Sequence, residues 1–258
     1  MNRARRPLIA GNWKMNLGGP EAIELAEALV KASKPCANVD VVICPPFTAL
    51  AAVASEVDGT HVGLGAQNLH PKTSGAFTGE VSAPMLLAAG CQWVIVGHSE
   101  RRQFFGDTDA FVAEKTQAAI AAKLAPIVCI GELEREREAG HTLQVLERQV
   151  NAVLAILAAN PEAPMAIAYE PVWAIGTGKA ATAADAEEAH AFVRKLLASA
   201  SETLAARVRV LYGGSVTGAN ARELLACPNV DGALVGGASL TVEKFEPIFG
   251  AAHALTLS

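Results

Sequence analysis

Met165-Ala166-Ile167-Ala168-Tyr169-Glu170-Pro171 is the stretch on which the fold turns: five apolar residues in a row, closed by an acid and a proline. A half-solvated strand alternates apolar and polar side chains. An unbroken apolar run of this length instead marks a strand covered on both faces, as in a parallel sheet beneath helices. Seven further runs of this kind stand at intervals of roughly 30 residues, the spacing of repeated βα units. They are Leu8–Asn12, Val39–Cys44, Val62–Ala66, Trp93–Val96, Ile127–Ile130, Val208–Tyr212 and Gly232–Val235.

Helical periods fill the gaps. From Thr142 onward, Leu143, Leu146, Val150, Val153, Leu154 and Leu157 recur at three- and four-residue steps as one apolar stripe. A second helix is expected from Thr182, with Asp185 three residues on as a weaker capping box, carrying Ala189, Val193, Leu196 and Leu197. Gly19-Pro20-Glu21 places a proline and an acid where a helix N-terminus favours them. Eight strands alternating with helices, without a composition break or linker, predict a single α/β domain over residues 1–258. Its expected form is a (β/α)8 barrel, eight parallel strands ringed by helices. Periodicity alone leaves a doubly wound sheet open as the second reading.

The chain has 258 residues, 51% hydrophobic and 18% charged, too apolar for intrinsic disorder. A chain this long buries roughly three quarters of the surface its unfolded form exposes. Lysine and arginine number 21 against 26 aspartate and glutamate, a formal charge of −5. The basic face that a phosphate backbone demands is missing, so nucleic acid is not an expected partner. Charge-free stretches such as Ser82–Gly97 are broken by Pro84, Gly90 and Gln92, and none offers about 20 apolar residues, so no membrane span is expected. The basic lead Met1 to Pro7 runs into Leu8–Lys14, too short and too soon charged for a signal sequence. Cys36, Cys44, Cys91, Cys129 and Cys227 are odd in number and form no C-x-x-C pair. They read as free thiols in a reducing compartment, and a cytoplasmic protein is expected.

Barrel enzymes build their sites at the C-terminal ends of the strands. There the first run delivers Asn12 and Lys14, the fourth His98, Ser99 and Glu100, and the sixth Glu170. The seventh leads into Gly213-Gly214-Ser215 and the eighth into Gly236-Gly237. The glycine pairs bare backbone N–H groups ahead of helix starts expected at Thr217 and Thr241, a phosphate cradle that needs no cation. One such pair alone reads as a tight turn; two on adjacent final strands favour phosphate. Gly176-Thr177-Gly178-Lys179-Ala180-Ala181 matches G-x-G-x-x-A, but six residues, Pro171 among them, separate it from Tyr169, so the match reads as accidental.

Taken singly, His98 reads as a satisfied structural histidine, Glu170 as a loop acid, Lys14 as a solvated charge, and Trp173 and Phe77 as packing residues. The other histidines show no metal-ligand spacing, so no metal site is expected. The run Glu132–Glu138 reads as the solvated face of a helix start. Two loops, Gln67–Glu80 and Pro171–Lys179, exceed the usual connection length and are expected to carry function.

Five segments together resemble the triosephosphate isomerases, in that family's order and spacing across essentially the whole chain. They are Ala10-Gly11-Asn12-Trp13-Lys14-Met15-Asn16, Val96-Gly97-His98-Ser99-Glu100-Arg101-Arg102, the run from Ala168 to Lys179, Tyr212-Gly213-Gly214-Ser215 and Gly236-Gly237-Ala238-Ser239-Leu240. The resemblance implies a TIM barrel that interconverts dihydroxyacetone phosphate and D-glyceraldehyde 3-phosphate through an enediolate, in glycolysis and gluconeogenesis, with no cofactor or metal. It implies Glu170 as base, His98 as electrophile and proton shuttle, and Lys14 with Asn12 as the substrate-binding pair, Lys14 serving the chemistry too. Gly176, Ser215, Gly236 and Gly237 match phosphate-gripping positions, and Pro171–Lys179 matches a mobile lid.

The loop Gln67–Glu80, around Thr78, matches the segment that family members push into a neighbouring subunit beside Asn12 and Lys14. That implies a homodimer. The lid closes on Lys179-Ala180-Ala181 where many relatives carry threonine after the lysine, a departure that bears on opening rate and not on reaction type. Two other readings stand beside this one. A Schiff-base aldolase needs a lysine within a strand, and the expected strands contain none. A non-catalytic phosphate-binding barrel predicts decay at Glu170 or His98, and both are present, along with the lid and both glycine pairs.

Overall fold

A computed structural model describes residues 5–175 and 181–257. Eight strands close in sequence order into one parallel barrel: β1 (Leu8–Asn12), β2 (Asp40–Cys44), β3 (Val62–Ala66), β4 (Trp93–Val96), β5 (Ala125–Ile130), β6 (Ala166–Tyr169), β7 (Arg209–Tyr212) and β8 (Gly232–Val235). The pairing that decides the topology is β1 with β8, where Leu8 to Gly11 run beside Gly232 to Val235. An open doubly wound sheet has no such closure. The sheet is a closed (β/α)8 barrel.

Strand starts shift slightly from expectation, for local reasons. Val39 donates its N–H to the Cys36 carbonyl at 2.9 Å, so it closes a turn and β2 begins at Asp40. Val208 likewise donates back to Leu204 at 2.9 Å and ends the helix Glu202–Arg207 ahead of β7. β5 begins two residues earlier than expected, through Pro126, which lies opposite Val94. A proline lacks the ladder N–H, but near the start of a strand that loss is tolerated.

Side chains along the strands alternate between two buried clusters. Leu8, Ala10, Val42, Cys44, Ile95, Ile127, Cys129, Ala168, Leu211 and Leu234 form the inner one; Ile9, Val41, Ile43, Val94, Val128, Ile167 and Val210 pack outward under the helices. Both faces are dry, which is why the runs carry no polar alternation. Each leucine or isoleucine so buried contributes roughly 1.5–3 kcal/mol.

The helices form where caps and stripes put them. Thr142–Ala159 buries Val145, Leu146, Val150, Val153 and Leu157, with Leu143 and Leu154 half-buried at the edge of the stripe. Ala183–Ala200 opens on the expected box: Asp185 donates its N–H to Thr182 Oγ1 at 3.1 Å, and Thr182 donates its own to Asp185 Oδ2 at 2.9 Å. Pro20 starts the helix Pro20–Ser33. The helix expected from Thr217 instead starts at Ala221, because Asn220 Oδ1 accepts the Thr217 N–H at 2.8 Å and closes a separate turn first. After β8 a short 3-10 helix, Gly237–Leu240, precedes the final helix Val242–Leu257. Among the described residues no helix is long and apolar enough to cross a membrane, and all five cysteines are free, with Cys227 partly exposed.

Candidate active site

The C-terminal ends of the strands open on a cavity of about 450 Å3. Asn12, Lys14, His98, Glu170, Ser215, Gly236 and Gly237 all line it, together with Gly213 and Gly214. Gly176, and with it most of the lid and of the G-x-G-x-x-A match, lies outside the described residues.

Past the end of β1 the chain turns sharply, and Lys14 takes the left-handed conformation (φ +52°). For a residue with a Cβ this costs roughly 1–2 kcal/mol. Local bonds offset it: Asn12 Oδ1 accepts the Lys14 N–H at 3.0 Å, and Gln67 Nε2 donates to the Lys14 carbonyl at 2.8 Å and to that of Cys44 at 2.9 Å. Asn12 and Gln67 therefore aim the lysine. Its Nζ stands 2.6 Å from Glu100 Oε1.

His98 follows β4 and caps the helix Ser99–Phe104. Its Nδ1 accepts the Glu100 backbone N–H at 3.2 Å, which assigns the ring proton of the neutral form to Nε2. Nε2 lies 2.9 Å from Glu170 Oε1. The other carboxylate oxygen, Oε2, accepts the Ser99 N–H at 2.9 Å. Arg102 ties the same strand ends, donating to the carbonyls of Gly97 at 2.8 Å and Cys129 at 3.1 Å.

Both groups are buried, so desolvation works against charge on each. On Glu170 burial pushes the carboxyl up, but His98 and the Ser99 N–H outweigh it and hold it below the usual range. On His98 burial pulls down, and the adjacent Glu170 overrides it and leaves the imidazole raised. Glu170 is thus parked here as a stable carboxylate, a weak base.

Beneath the segment that follows Glu170 sits a residue that sequence reasoning placed wrongly. Glu132 is fully buried, not part of a solvated face. Its Oε1 accepts from Trp173 Nε1 at 2.7 Å and from the Tyr169 hydroxyl at 3.1 Å, while its carbonyl takes the Val172 N–H at 3.2 Å. Arg137 stacks 4.1 Å over the Trp173 ring and bonds Asp185 at 2.8 Å, so it touches both flanks of the 171–181 segment. Only Glu134–Glu138 forms the exposed helix. The signal was present: Glu132 follows Gly131 directly at the end of β5, a rim position like those of His98 and Glu170. Lys244, near the start of the final helix, also lines the cavity and had no sequence mark.

The glycine pairs meet as expected. Gly213 must be glycine: a Cβ there would lie 2.8 Å from Glu170 Cγ. Ser215 Oγ donates to the Ala174 carbonyl at 2.9 Å, tying this loop to the segment after Glu170. The Ala221 helix start removes one expected dipole from the cradle; bare N–H groups and the turn at Gly237–Leu240 remain.

The family model described as triosephosphate isomerase matches residues 7–252. Triosephosphate isomerase of Rhodopirellula baltica is 53% identical over 250 residues, 96% of this chain and 98% of that one. That of Moorella thermoacetica is 53% identical over 244 residues, 95% and 98% of the two. The crystal structure of triosephosphate isomerase from Bartonella henselae superposes with a TM-score of 0.86 at 41% identity, over 95% of this chain and 98% of that one. With family model, sequence and barrel all coinciding over nearly the full length, the chain belongs to the triosephosphate isomerase family.

Proposed function

We propose that this chain is an isomerase that interconverts dihydroxyacetone phosphate and D-glyceraldehyde 3-phosphate through an enediolate, in glycolysis and gluconeogenesis. One observation carries the assignment of roles: a buried His98 whose Nδ1 is committed as an acceptor, with Nε2 2.9 Å from a buried carboxylate at Glu170. That is an acid and a base side by side in one cavity. Triosephosphate isomerase is itself the standard example of a glutamate base beside a neutral histidine, and the neutral-imidazole role is taken over from that family.

Glu170 removes a proton from the carbon next to the carbonyl. The C–H electron pair forms the new C=C bond, and the carbonyl pair moves onto oxygen. His98 gives that oxygen its Nε2 proton and takes the proton of the neighbouring hydroxyl. Glu170 then returns its proton to the adjacent carbon. Once Glu170 swings from Ser99 and His98 to the substrate, burial is the main influence left on both groups. It raises the carboxyl, making a stronger base, and lowers the imidazole, keeping it neutral. The Lys14 ammonium lies beside the oxygens on which charge develops, and a donor so placed is worth roughly 3 kcal/mol. Ser215, Gly236, Gly237 and, with the lid, Gly176 take the phosphate. Charge is handled entirely by these groups, so the reaction as proposed needs neither cofactor nor metal.

A Schiff-base reading has little support. Among the described residues the buried lysine is Lys115, and it is held by Asp107 at 2.7 Å and Asn68 at 2.9 Å, away from the cavity.

We further propose one catalytic domain per chain, a cytoplasmic location, and a homodimer through the loop Gln67–Glu80. What supports the dimer is apolar exposure beside Lys14 and on the loop: Met15 is 95% exposed and Phe105 66%, both lining one cleft with Lys14 and Gln67, Phe104 next to Phe105 is 73%, and Phe77 on the loop itself 42%. Large apolar side chains exposed together mark an interface. Sedimentation velocity on the protein and a Phe77→Asp variant tests it; two monomeric samples would reject it.

The reaction is tested by isomerisation of glyceraldehyde 3-phosphate, coupled to NADH oxidation by glycerol-phosphate dehydrogenase. Glu170→Gln is expected to lose about 10²–10⁴-fold in turnover while still binding a phosphate-bearing inhibitor. Comparable turnover in the variant would remove Glu170 as base, and an inactive folded wild type would remove the reaction.

A further inference from the structure

At the opposite, N-terminal mouth of the barrel lies a second cavity of about 270 Å3, and much of its wall is arginine. Arg5 and Arg6 reach it from the lead into β1, Arg207 and Arg209 from the turn into β7. None of the described residues lining it is acidic.

The carboxylates that hold these arginines are not among the lining residues, and two of them are shared. Asp40 pairs with both Arg6 and Arg209, each at 2.5 Å. Asp231, fully buried, pairs with Arg5 at 2.7 Å and also with Arg194, and takes the Val210 N–H at 2.9 Å besides. Glu162 pairs with Arg207 at the surface, where water screens the contact and a competing anion displaces it at little cost. Five guanidinium groups therefore share three directly paired carboxylates, and with Glu187 acting on Arg194 from beyond pairing distance the named groups still sum to a positive charge, on a chain of formal charge −5.

An arginine cannot relieve such an excess by losing its proton. Each guanidinium has five N–H donors in a fixed fork, and the pairs named use only part of them. The fork of Arg209 is also held in place: its guanidinium stacks 5.0 Å from the Trp93 ring, and its side chain is 13% exposed. A donor already ordered loses little freedom on binding.

We propose that this cavity binds a compact oxyanion of the phosphate class, gripped by Arg6, Arg207 and Arg209. The volume falls below the roughly 300–1,000 Å3 of pockets that enclose drug-sized ligands. It is large enough for inorganic phosphate or pyrophosphate. The site is separate from the glycine cradle, which grips phosphate through backbone N–H groups at the other end of the barrel.

Pyrophosphate is the probe. Protein labelled with 5-fluorotryptophan is titrated with it and followed by fluorine NMR, the Trp93 resonance being assigned with Trp93→Phe. Pyrophosphate is expected to shift the Trp93 resonance, because that ring lies under Arg209. Calorimetric titration of an Arg6→Gln/Arg207→Gln variant is expected to show one binding event fewer, or at least tenfold weaker affinity, with isomerase kcat/KM unchanged. Both positions are half-exposed, so the fold tolerates the change, and the retained activity verifies it. An unmoved Trp93 resonance in the wild-type sequence at saturating pyrophosphate, or equal stoichiometry and affinity in the two proteins, overturns the proposal. Binding that moves only the Trp173 resonance places pyrophosphate in the catalytic cavity alone and overturns it as well.

Discussion

The backbone N–H of Ser99 donates to Glu170 Oε2 at 2.9 Å, so the carboxylate rests on the first turn of the helix Ser99–Phe104. Charge on Glu170 is favoured there by a helix N-terminus and by His98, and its pKa is depressed despite complete burial. A ligand that draws Glu170 away removes both supports and leaves desolvation, which raises the pKa. The same withdrawal lowers the His98 imidazole, so net uptake is expected at a pH where His98 is already neutral and the unliganded Glu170 is ionised, up to one proton per site. Calorimetric titration with a phosphate-bearing substrate analogue, run in two buffers of different ionisation enthalpy, reads this directly. The apparent heats are expected to differ in the sense of uptake, and to converge in Glu170→Gln. Buffer-independent heats in the wild type would show that Glu170 keeps its partners on binding.

Trp173→Phe keeps an aromatic ring for Arg137 to stack on and deletes the indole N–H that donates to Glu132. The acceptor is a buried carboxylate, so the lost bond costs about 1.5–3 kcal/mol. Tyr169 still reaches Glu132, which keeps the fold. The turn Val172–Ala174 loses its side-chain tie to Glu132 and keeps the Val172 N–H bond to the Glu132 carbonyl and the Ser215 bond to Ala174, so the starting position of the segment after Glu170 loosens without being lost. Turnover is expected to fall several-fold, with chemical denaturation showing a stability loss in the range given. Wild-type kinetics together with wild-type stability would mean the Glu132 contact does not hold the turn.

Much of this site was legible because its groups follow strand ends. Asn12 ends an apolar run, Lys14 and His98 stand two residues past one, and Glu170 and both glycine pairs follow one directly, and a closed barrel brings every such position to one rim. Glu132 obeys the same rule, yet the charges that follow it masked it: Glu134 to Glu138 alternate in sign on an exposed helix, and one-dimensional charge pattern does not separate the first acid from the rest. Thr217 failed for a different reason. A threonine after Gly-Gly-Ser suggests a helix cap, but the cap geometry depends on Asn220, whose side chain claims the Thr217 N–H. Barrel and doubly wound sheet share one periodicity, and only the long-range pairing of β1 with β8 distinguishes them.

His190 adds a pH dependence from outside the catalytic cavity. It is fully buried, edge-on to Tyr169 with ring centroids 6.0 Å apart and tilted against Tyr212 at 6.4 Å. Burial pushes its pKa down from 6.5 to about 4. The unfolded chain therefore binds a proton that the folded one refuses. The neutral ring's contribution is complete above about pH 6.5, and it is lost as the pH falls toward about 4. With one pKa unit worth about 1.4 kcal/mol, the loss approaches about 3 kcal/mol. Urea denaturation from pH 7 to 4 is expected to show this slope, flattened in His190→Gln whatever that variant's absolute stability. Equal slopes would assign the acid sensitivity to other groups.

Gly131→Ala tests the packing that places Glu170. At the ends of β5 and β6 the two backbones approach so closely that a Cβ on Gly131 would lie 1.7 Å from the Glu170 carbonyl oxygen and 2.6 Å from its carbon. No rotamer change relieves that overlap, because the obstacle is backbone. It is backbone already fixed on both sides: the Glu170 N–H donates to the Ile130 carbonyl at 2.7 Å, and the Gly131 N–H donates to Gln149 Oε1 at 2.7 Å. The methyl group must push β5 and β6 apart at Glu170 itself. A destabilisation of more than about 3 kcal/mol is expected, in the range that buried steric conflicts reach. Any folded fraction is expected to show lower kcat with KM little changed, since the cradle at Gly236 and Gly237 is on other strands. Wild-type stability and turnover in Gly131→Ala would mean that the β5–β6 approach is looser than 1.7 Å implies, and that Glu170 is positioned by its Ser99 and His98 contacts alone.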